Sequence, residues 1–482
     1  MEDLDALLTL EREEIIARYD QGPQAGTPVD PGDDADLLIY RAVDQLGFLH
    51  GKELPDLSTQ EIKHNLQTAK RADKWVKMLK QWNKYCNSSK MHRRVYKGMP
   101  PQVRGRVWSL LLGLDQVKVE NKGEYEHLKE LGKVLSPYIK EIDLDVSLTF
   151  RRHIMSRERY SIKQQALFHI LVTYSIYNPE VGHCQHLSQI VAVLLMYLEE
   201  EDAFWALDEL MTNDAHAMHG FFSTGCPKLG RFLVHHDYTI GQTLPRLKHH
   251  MDQEQLFSQT YCAQWFLECF LHRVAPHCCC PQTPFPLTLR IWDAFILDGE
   301  RVLTSMAYTM LKVHEKQLLR LPREGMQDFL HNTLAQPWGL PDDQVLRHLQ
   351  VSMSYLRRLD LDLPPPAVPE AWPVIPLQQT SVVPSAARLC PGRQLYRSEP
   401  SFPVTPEVMN RSPETVAFFA DLNASYPSAL AWLIGLPQAC HNMGFLKPHP
   451  SWSSGQQASR PRTPLLPRGT CSPCPTQGGE PP

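Results

Sequence analysis

Proline divides this chain. The last 122 residues, 361 to 482, hold 23 of its 40 prolines, and the change begins at Leu363-Pro364-Pro365-Pro366. Proline lacks a backbone donor and stops helices, so a segment interrupted this often cannot build a packed core. The sequence therefore predicts a mostly disordered, Pro-rich tail over 362–482, with the packed structure confined to what precedes it. One stretch of the tail, Val416 to Leu436, carries Phe418, Phe419, Leu422, Trp432, Leu433 and Ile434. It reads either as a short docking helix or as an untethered apolar segment.

Ahead of that boundary, apolar residues recur at helical spacing and period-two alternation is almost absent. Leu4 to Tyr19 places Leu4, Leu7, Leu8, Ile15 and Ile16 on an amphipathic helix, closed by the Gly- and Pro-rich Gly22 to Asp34. Thr59 to Tyr85 sets Trp75, Met78, Leu79, Trp82 and Tyr85 among lysines, a stripe that suits a core-facing surface. Pro100-Pro101 opens a helix over Gln102 to Leu112, and Pro137 opens one running through Ile142 and Phe150. Ser161 to Tyr177, Leu187 to Glu199 and Asp202 to Met211 follow, and the pattern continues through Phe221 to Met251 and Gln253 to Phe270. Leu289 to Leu297 is apolar enough to be buried on several sides, with Arg290 and Asp293 as buried or bridging charges. Val302 to Leu319 and Asp342 to Leu359 complete an all-α architecture. Its expected parts are a helical N-terminal extension (1–90), a multi-helix domain (91–320) and C-terminal helices packing on it (321–361).

A net charge of −4 and a pI near 6.6, without a long Lys/Arg block, argue against nucleic-acid binding. The densest apolar run, Ile190 to Leu198, falls well short of the ~20 residues needed to span a bilayer, so no transmembrane segment is expected. The N-terminus, Met1-Glu2-Asp3-Leu4-Asp5, lacks the pattern of a secretory signal. The 12 cysteines are scattered, with an abutting trio at Cys278 to Cys280, which favours reduced thiols. The expected setting is cytoplasmic, with contact at a membrane surface.

Three motifs then fall in order. Lys97-Gly98-Met99-Pro100 is followed by Arg104 and Trp108; Ile142-x-x-Asp145 is followed by Leu148-Thr149; Cys184-Gln185 precedes a long apolar helix. They resemble the family patterns G-[IM]-P-x-x-x-R-x-x-x-W, I-x-x-D-x-x-R-T and Y-C-Q-G-M of the TBC domain, the Rab GTPase-activating fold. Y-D-Q-G near residue 19, A-D-L-L-I-Y-R-A near 35, F-R-R-H-I-M, N-P-E-V-G, E-E-D-A-F-W-A-L, H-A-M-H-G-F-F and L-R-I-W-D further resemble the RN-tre group and its hominoid-type relatives. The likeness covers about residues 1 to 365. It implies an all-helical protein that binds a GTP-loaded Rab, in vesicle traffic at endosomal or Golgi membranes, without a cofactor.

In that family the activator supplies an arginine from the second motif and a glutamine from the third. Hydrolysis on a small GTPase is slow because charge builds on the transferring phosphoryl group and the water must be held in line. Gln185 matches the glutamine. The arginine position is Leu148, which carries no charge and donates no hydrogen bond; an arginine finger is worth ~10³ to 10⁵ in rate. His183, His186 and Leu187 stand where the family has tyrosine, glycine and methionine, and His186 is expected to crowd the loop or the GTPase. Arg151, three positions on, would lie about 4.5 Å along the axis and 60° short of a full turn were the helix to continue. RN-tre-like chains carry an arginine there beside the finger, which implies a separate structural task. Asp145 orients the finger or is a surface acid near a helix start; Trp108 is expected in the core, and Arg104 either pairs with an acid beneath the site or touches the GTPase.

Other patterns carry less. His277-Cys278-Cys279-Cys280, near Cys262, Cys269 and His272, lacks the C-x-x-C pair of a tetrahedral zinc site and reads as an inserted loop. Cys471 and Cys474 read as free thiols. Pro461, Pro464 and Pro467 form overlapping P-x-x-P units flanked by arginines, which suits an SH3 groove. Four readings follow: a Rab activator, a Rab binder that cannot activate, an adaptor recruiting SH3 partners, and a poorly folded copy.

Overall fold

A computed structural model describes residues 2–23, 42–50, 59–223, 225–271, 285–335 and 338–365. All but the last residue of the A-D-L-L-I-Y-R-A segment, the Cys278 to Cys280 loop with His272 and His277, Val416 to Leu436, Cys471, Cys474 and the P-x-x-P prolines lie outside the described residues. The fold is all-α. The only strands among the described residues are β1 (Ala42–Val43) and β2 (Leu49–His50), an antiparallel pair with Val43 opposite Leu49.

The chain begins with α1 (Glu2–Gln21), α2 (Thr59–Leu79), α3 (Trp82–Tyr85) and α4 (Ser89–Lys97). Only the second half of α1 docks: Tyr19 is buried and stacks on Phe168 at 3.8 Å, whereas Leu7, Leu8 and Leu10 stay exposed. Among the described side chains of α1, the expected apolar stripe is buried only near Ile15 and Tyr19. Trp75 and Met78 of α2 are buried, and Ser88 caps α4 by accepting from Met91 N at 3.2 Å.

The domain continues with α5 (Pro101–Leu111), α6 (Leu114–Glu120), α7 (Glu124–Leu135), α8 (Ile139–Leu148), α9 (Ile162–Tyr177), α10 (Gln185–Leu195) and α11 (Glu200–Thr212). Every residue from Leu187 to Leu195 is buried, so α10 runs through the centre of the packing. The remaining helices are α12 (His219–Phe222), α13 (Pro227–Thr243), α14 (Pro245–Gln253), α15 (Ser258–Tyr261), α16 (Ala263–Leu267), α17 (Phe285–Asp298), α18 (Arg301–Leu318), α19 (Arg323–His331) and α20 (Asp342–Arg358). The helical pattern expected over Gln253 to Phe270 is carried by two short helices, α15 and α16, with left-handed residues at Gln255, Cys269 and Phe270. Cys262, Trp265, Phe266, Cys269 and Phe270 are all buried, so the helical spacing is honoured by burial while the backbone turns. Phe270 N bonds to Trp265 O at 3.1 Å, a helix end that needs one residue in the left-handed region.

One buried polar node joins the halves of the domain. Arg104 on α5 donates from Nε and Nη2 to the two carboxylate oxygens of Asp293 on α17, at 2.9 and 3.2 Å. Nη2 also reaches Met99 O at 3.0 Å, and Nη1 reaches Tyr197 Oη at 3.1 Å. Trp108 Nε1 donates to Asp293 at 2.9 Å, and its ring meets Tyr197 edge-on at 5.2 Å. Arg290, one turn before Asp293, bridges outward instead, to Asp343 at 2.6 Å and Tyr96 O at 2.8 Å.

This node requires α5 to press close to the chain after α10. A Cβ on Gly105 would sit 2.0 Å from the carbonyl oxygen of Tyr197. Glycine to alanine inside a helix ordinarily stabilises by roughly 0.5–1 kcal/mol. At this position the clash with backbone reverses the sign, and Gly105→Ala should destabilise by about 1–3 kcal/mol in urea unfolding. Gly241→Ala on α13, where nothing lies within 4 Å of the added carbon, is the control and should be neutral or stabilising. A more stable Gly105→Ala protein would contradict the close approach.

Candidate functional site

The second and third motifs meet where α8 ends and α10 begins. Helix α8 stops at Leu148 because Thr149 is extended (ψ 122°) and Phe150 adopts a positive φ of 46°. Phe150 is buried at that strained position, its ring 6.4 Å from Phe48 and 6.0 Å from Phe285. The chain then pairs with the strand hairpin: Leu49 N donates to Arg152 O at 2.7 Å and Ile154 N to Gly47 O at 2.8 Å.

On the other side, N-P-E-V-G delivers the chain into α10. Asn178 is buried, and its carbonyl accepts from Val181 N and Gly182 N at 3.1 and 2.9 Å. Gly182 has φ +58°, and a Cβ there would lie 2.9 Å from the Tyr138 hydroxyl, so the turn is built for glycine.

Two links clamp the halves together. His183 Nε2 lies 2.7 Å from Asp145 Oδ2, and both side chains are nearly removed from solvent. Thr149 Oγ1 stands 2.6 Å from the Asp145 carbonyl oxygen and 3.0 Å from Ser188 Oγ, which donates to the Gln185 carbonyl at 2.7 Å. Asp145 is therefore not a surface acid; it is a buried carboxylate satisfied by the residue that stands in the family's tyrosine position.

Gln185 is the first residue of α10, half-buried, and its side-chain amide makes no hydrogen bond among the described residues. Leu148 is the last residue of α8, half-buried, and does not join the hydrophobic core. Leu144, one turn earlier, is 59% exposed, so the outer face of α8 presents leucines one turn apart. Arg151 does not continue α8. It follows the left-handed turn, is half-buried and is already engaged within the fold, so the helical offset expected for it does not apply.

His186 is turned inward rather than out over the loop. Its Nδ1 lies 2.5 Å from Oε1 of Glu268, a carboxylate almost wholly buried beyond α16. Burial opposes protonation of the imidazole, but the hydrogen bond and charge of Glu268, with the charge of Asp145, lift its pKa above the ordinary 6.5. The Cys184 thiol, pushed up to about 12 chiefly by burial, stays protonated and is no nucleophile. Arg104 and Trp108 lie at the Asp293 node, with the Arg104 donors taken up by protein and the side chain almost wholly buried.

Sequence reasoning missed Glu268, Ser188 and the glycines at 105 and 182. Glu268 had a signal: it is the lone acid in W-F-L-E-C-F-L, and an acid inside an apolar run needs a buried partner.

The site thus holds a glutamine amide without a described hydrogen-bond partner at the start of α10, clamped beside the end of α8. Residues 101–319 match the family model of the Rab-GTPase-TBC domain. Similar solved structures include the Chlamydomonas flagellar RabGAP TBC domain, at 24% identity over 64% of this chain and 99% of that one, with a TM-score of 0.48. Another is the Ypt/Rab-GAP domain of Gyp1p, at 15% identity over 59% of this chain and 99% of that one, with a TM-score of 0.47. No described helix is long and apolar enough to cross a membrane, and no His/Cys/Asp/Glu cluster among the described residues is arranged to hold a metal ion.

The raised His186 pKa fixes the sign of a pH effect. Protonation favours the folded form, so the contribution of the His186–Glu268 pair is complete below about pH 6.5 and fades as pH rises through the higher folded value. The stability gap between the native chain and His186→Gln, read by thermal unfolding, should therefore shrink from about pH 6 to about pH 9. A gap that holds constant or widens over that range contradicts the pairing.

Proposed function

We propose that this chain binds a GTP-loaded Rab-type GTPase through the surface where α8 ends and α10 begins, and that it accelerates hydrolysis weakly or not at all. The observation that carries this reading is Leu148: the last residue of α8, outside the core, beside the loop that offers Gln185. Gln185 can position water, but leucine supplies nothing for charge building on the phosphoryl oxygens. The missing factor of ~10³ to 10⁵ corresponds to roughly 4–7 kcal/mol of transition-state stabilisation. Arg151, engaged elsewhere and displaced from the helix, does not replace it.

Within the TBC family we place the chain with the RN-tre group. Burial of Tyr19, from the Y-D-Q-G motif, against Phe168 supports this, because it makes the N-terminal extension part of the packed body. The setting proposed with it is the cytoplasmic side of endosomal or Golgi membranes.

Single-turnover GTP hydrolysis across a Rab panel tests the reading. The native chain should leave hydrolysis near background while pull-downs capture at least one GTP-loaded Rab. Leu148→Arg should raise the rate by at least tenfold, and Leu148→Arg with Gln185→Ala should abolish the gain. A native rate enhancement of about a hundredfold or more at catalytic concentration would sink the lost-catalysis claim. Failure to capture any GTP-loaded Rab would sink the binding claim.

A further inference from the structure

Between Thr59 and Lys97 the chain carries eleven lysines and arginines against two acids, a net charge of +9 within a total of −4. They are spread along the sequence, and the fold gathers several of the described ones. On α2, at 100° per residue, Ile62, Leu66, Lys70, Lys77 and Lys74 fall within an arc of about 120°, and Trp75 and Met78 face the core beyond it. On α4, Lys90, Arg93 and Lys97 repeat at helical spacing, all exposed.

The two stripes adjoin. Arg94 on α4 donates to the carbonyl of Lys74 on α2, and Lys84 and Lys90 lie over the Tyr85 ring, 5.7 and 5.1 Å from its centroid. Asp73 is the one described acid on this face. Arg71 and His92 turn away to Asp343 and Asp298, at 3.4 and 3.5 Å. Among the described residues, Lys70, Lys74, Lys77, Lys80, Lys84 and Lys90 form no ion pair.

We propose that the α2–α4 face is a docking surface for an anionic lipid bilayer. Charge complementarity names an anionic partner, and the side chains favour lipid over nucleic acid. The exposed α2 cations are lysines, diffuse point charges, rather than the forked arginines that read phosphates in pairs. Apolar side chains stand out among them: Ile62, Leu66 and Val76 are 47%, 60% and 45% exposed. Tyr85, half-buried under Lys84 and Lys90, lies at the same face. Lysines mixed with protruding apolar groups suit the boundary between headgroups and acyl chains. This surface is separate from the Leu148–Gln185 site, and the proposal does not rest on GTPase binding.

Flotation of the full chain with vesicles tests it, comparing phosphatidylcholine alone with a mixture holding about 30% phosphatidylserine. Binding should require the anionic lipid at about 100 mM salt and disappear near 500 mM. At about fivefold in partitioning per lysine, Lys70→Ser, Lys74→Ser, Lys77→Ser and Lys90→Ser together should weaken binding at least a hundredfold. Arginine at the same four positions should retain it, Lys122→Ser with Lys316→Ser should leave it unchanged, and all variants should melt with the native chain. Undiminished binding by the quadruple serine variant overturns the proposal. So does equal binding to neutral vesicles, absence of binding, or displacement from the vesicles by duplex DNA held tighter on the same lysines.

Discussion

A guanidinium and a carboxylate face each other in the interior of this domain, and the placement of everything at the candidate site follows from them. Asp293 has no solvent exposure, so its charge is tolerable only because Arg104 and Trp108 both donate to it. Leaving either charge alone in such a place costs about 3–5 kcal/mol, which makes the pair a register pin whatever its net contribution to stability. Arg104 also donates to Tyr197, which follows α10 directly, so the node fixes the trailing end of the helix whose leading residue is Gln185. Ser188 and His186 hold the leading end through Thr149 and Glu268. A central helix pinned at both ends presents its first side chain with little freedom, as a contact that must meet a partner in one geometry requires.

What could be read from the sequence follows the reach of each signal. Helix periodicity and proline punctuation are local, so the all-α class and the starts at Pro101 and Asp342 were legible. Trp108 as core and an acid partner for Arg104 were legible as types, but Asp293 lies 189 positions from Arg104 and no spacing rule names it. The same holds for His183 with Asp145 and for His186 with Glu268, separated by 38 and 82 positions. Periodicity failed where burial and backbone disagree. The stripe from Cys262 to Phe270 has helical spacing, yet left-handed residues at Cys269 and Phe270 break the helix. Arg151 failed for the same reason, because φ at Phe150 ends α8 before the assumed turn is complete.

The departures from the family pattern at 148 and 183 are physically related. A buried carboxylate must find a donor, and Asp145 lies one turn before the position from which the pattern would offer an arginine. With leucine there, the imidazole of His183 supplies the donor at 2.7 Å. His186 and Glu268 form a second, part-buried pair across the same loop. The loop is thus stabilised from within and holds its shape without a cation at 148.

That self-sufficiency bears on what the surface can do when a GTPase docks, under the function proposed above. An arginine at 148 would act on charge present mainly in the transition state, a differential interaction that raises the rate. Leucine at 148, with Leu144 exposed one turn away, offers apolar surface that is buried equally in the ground state and the transition state. Fully burying a leucine is worth about 1.5–3 kcal/mol, against roughly 4–7 kcal/mol lost from the transition state. The exchange moves interaction energy from catalysis into uniform binding, which tightens a complex without turning it over. Under that proposal the side chain that would remove activation would also favour a longer-lived complex, a holder of the GTP-bound state rather than a damaged activator.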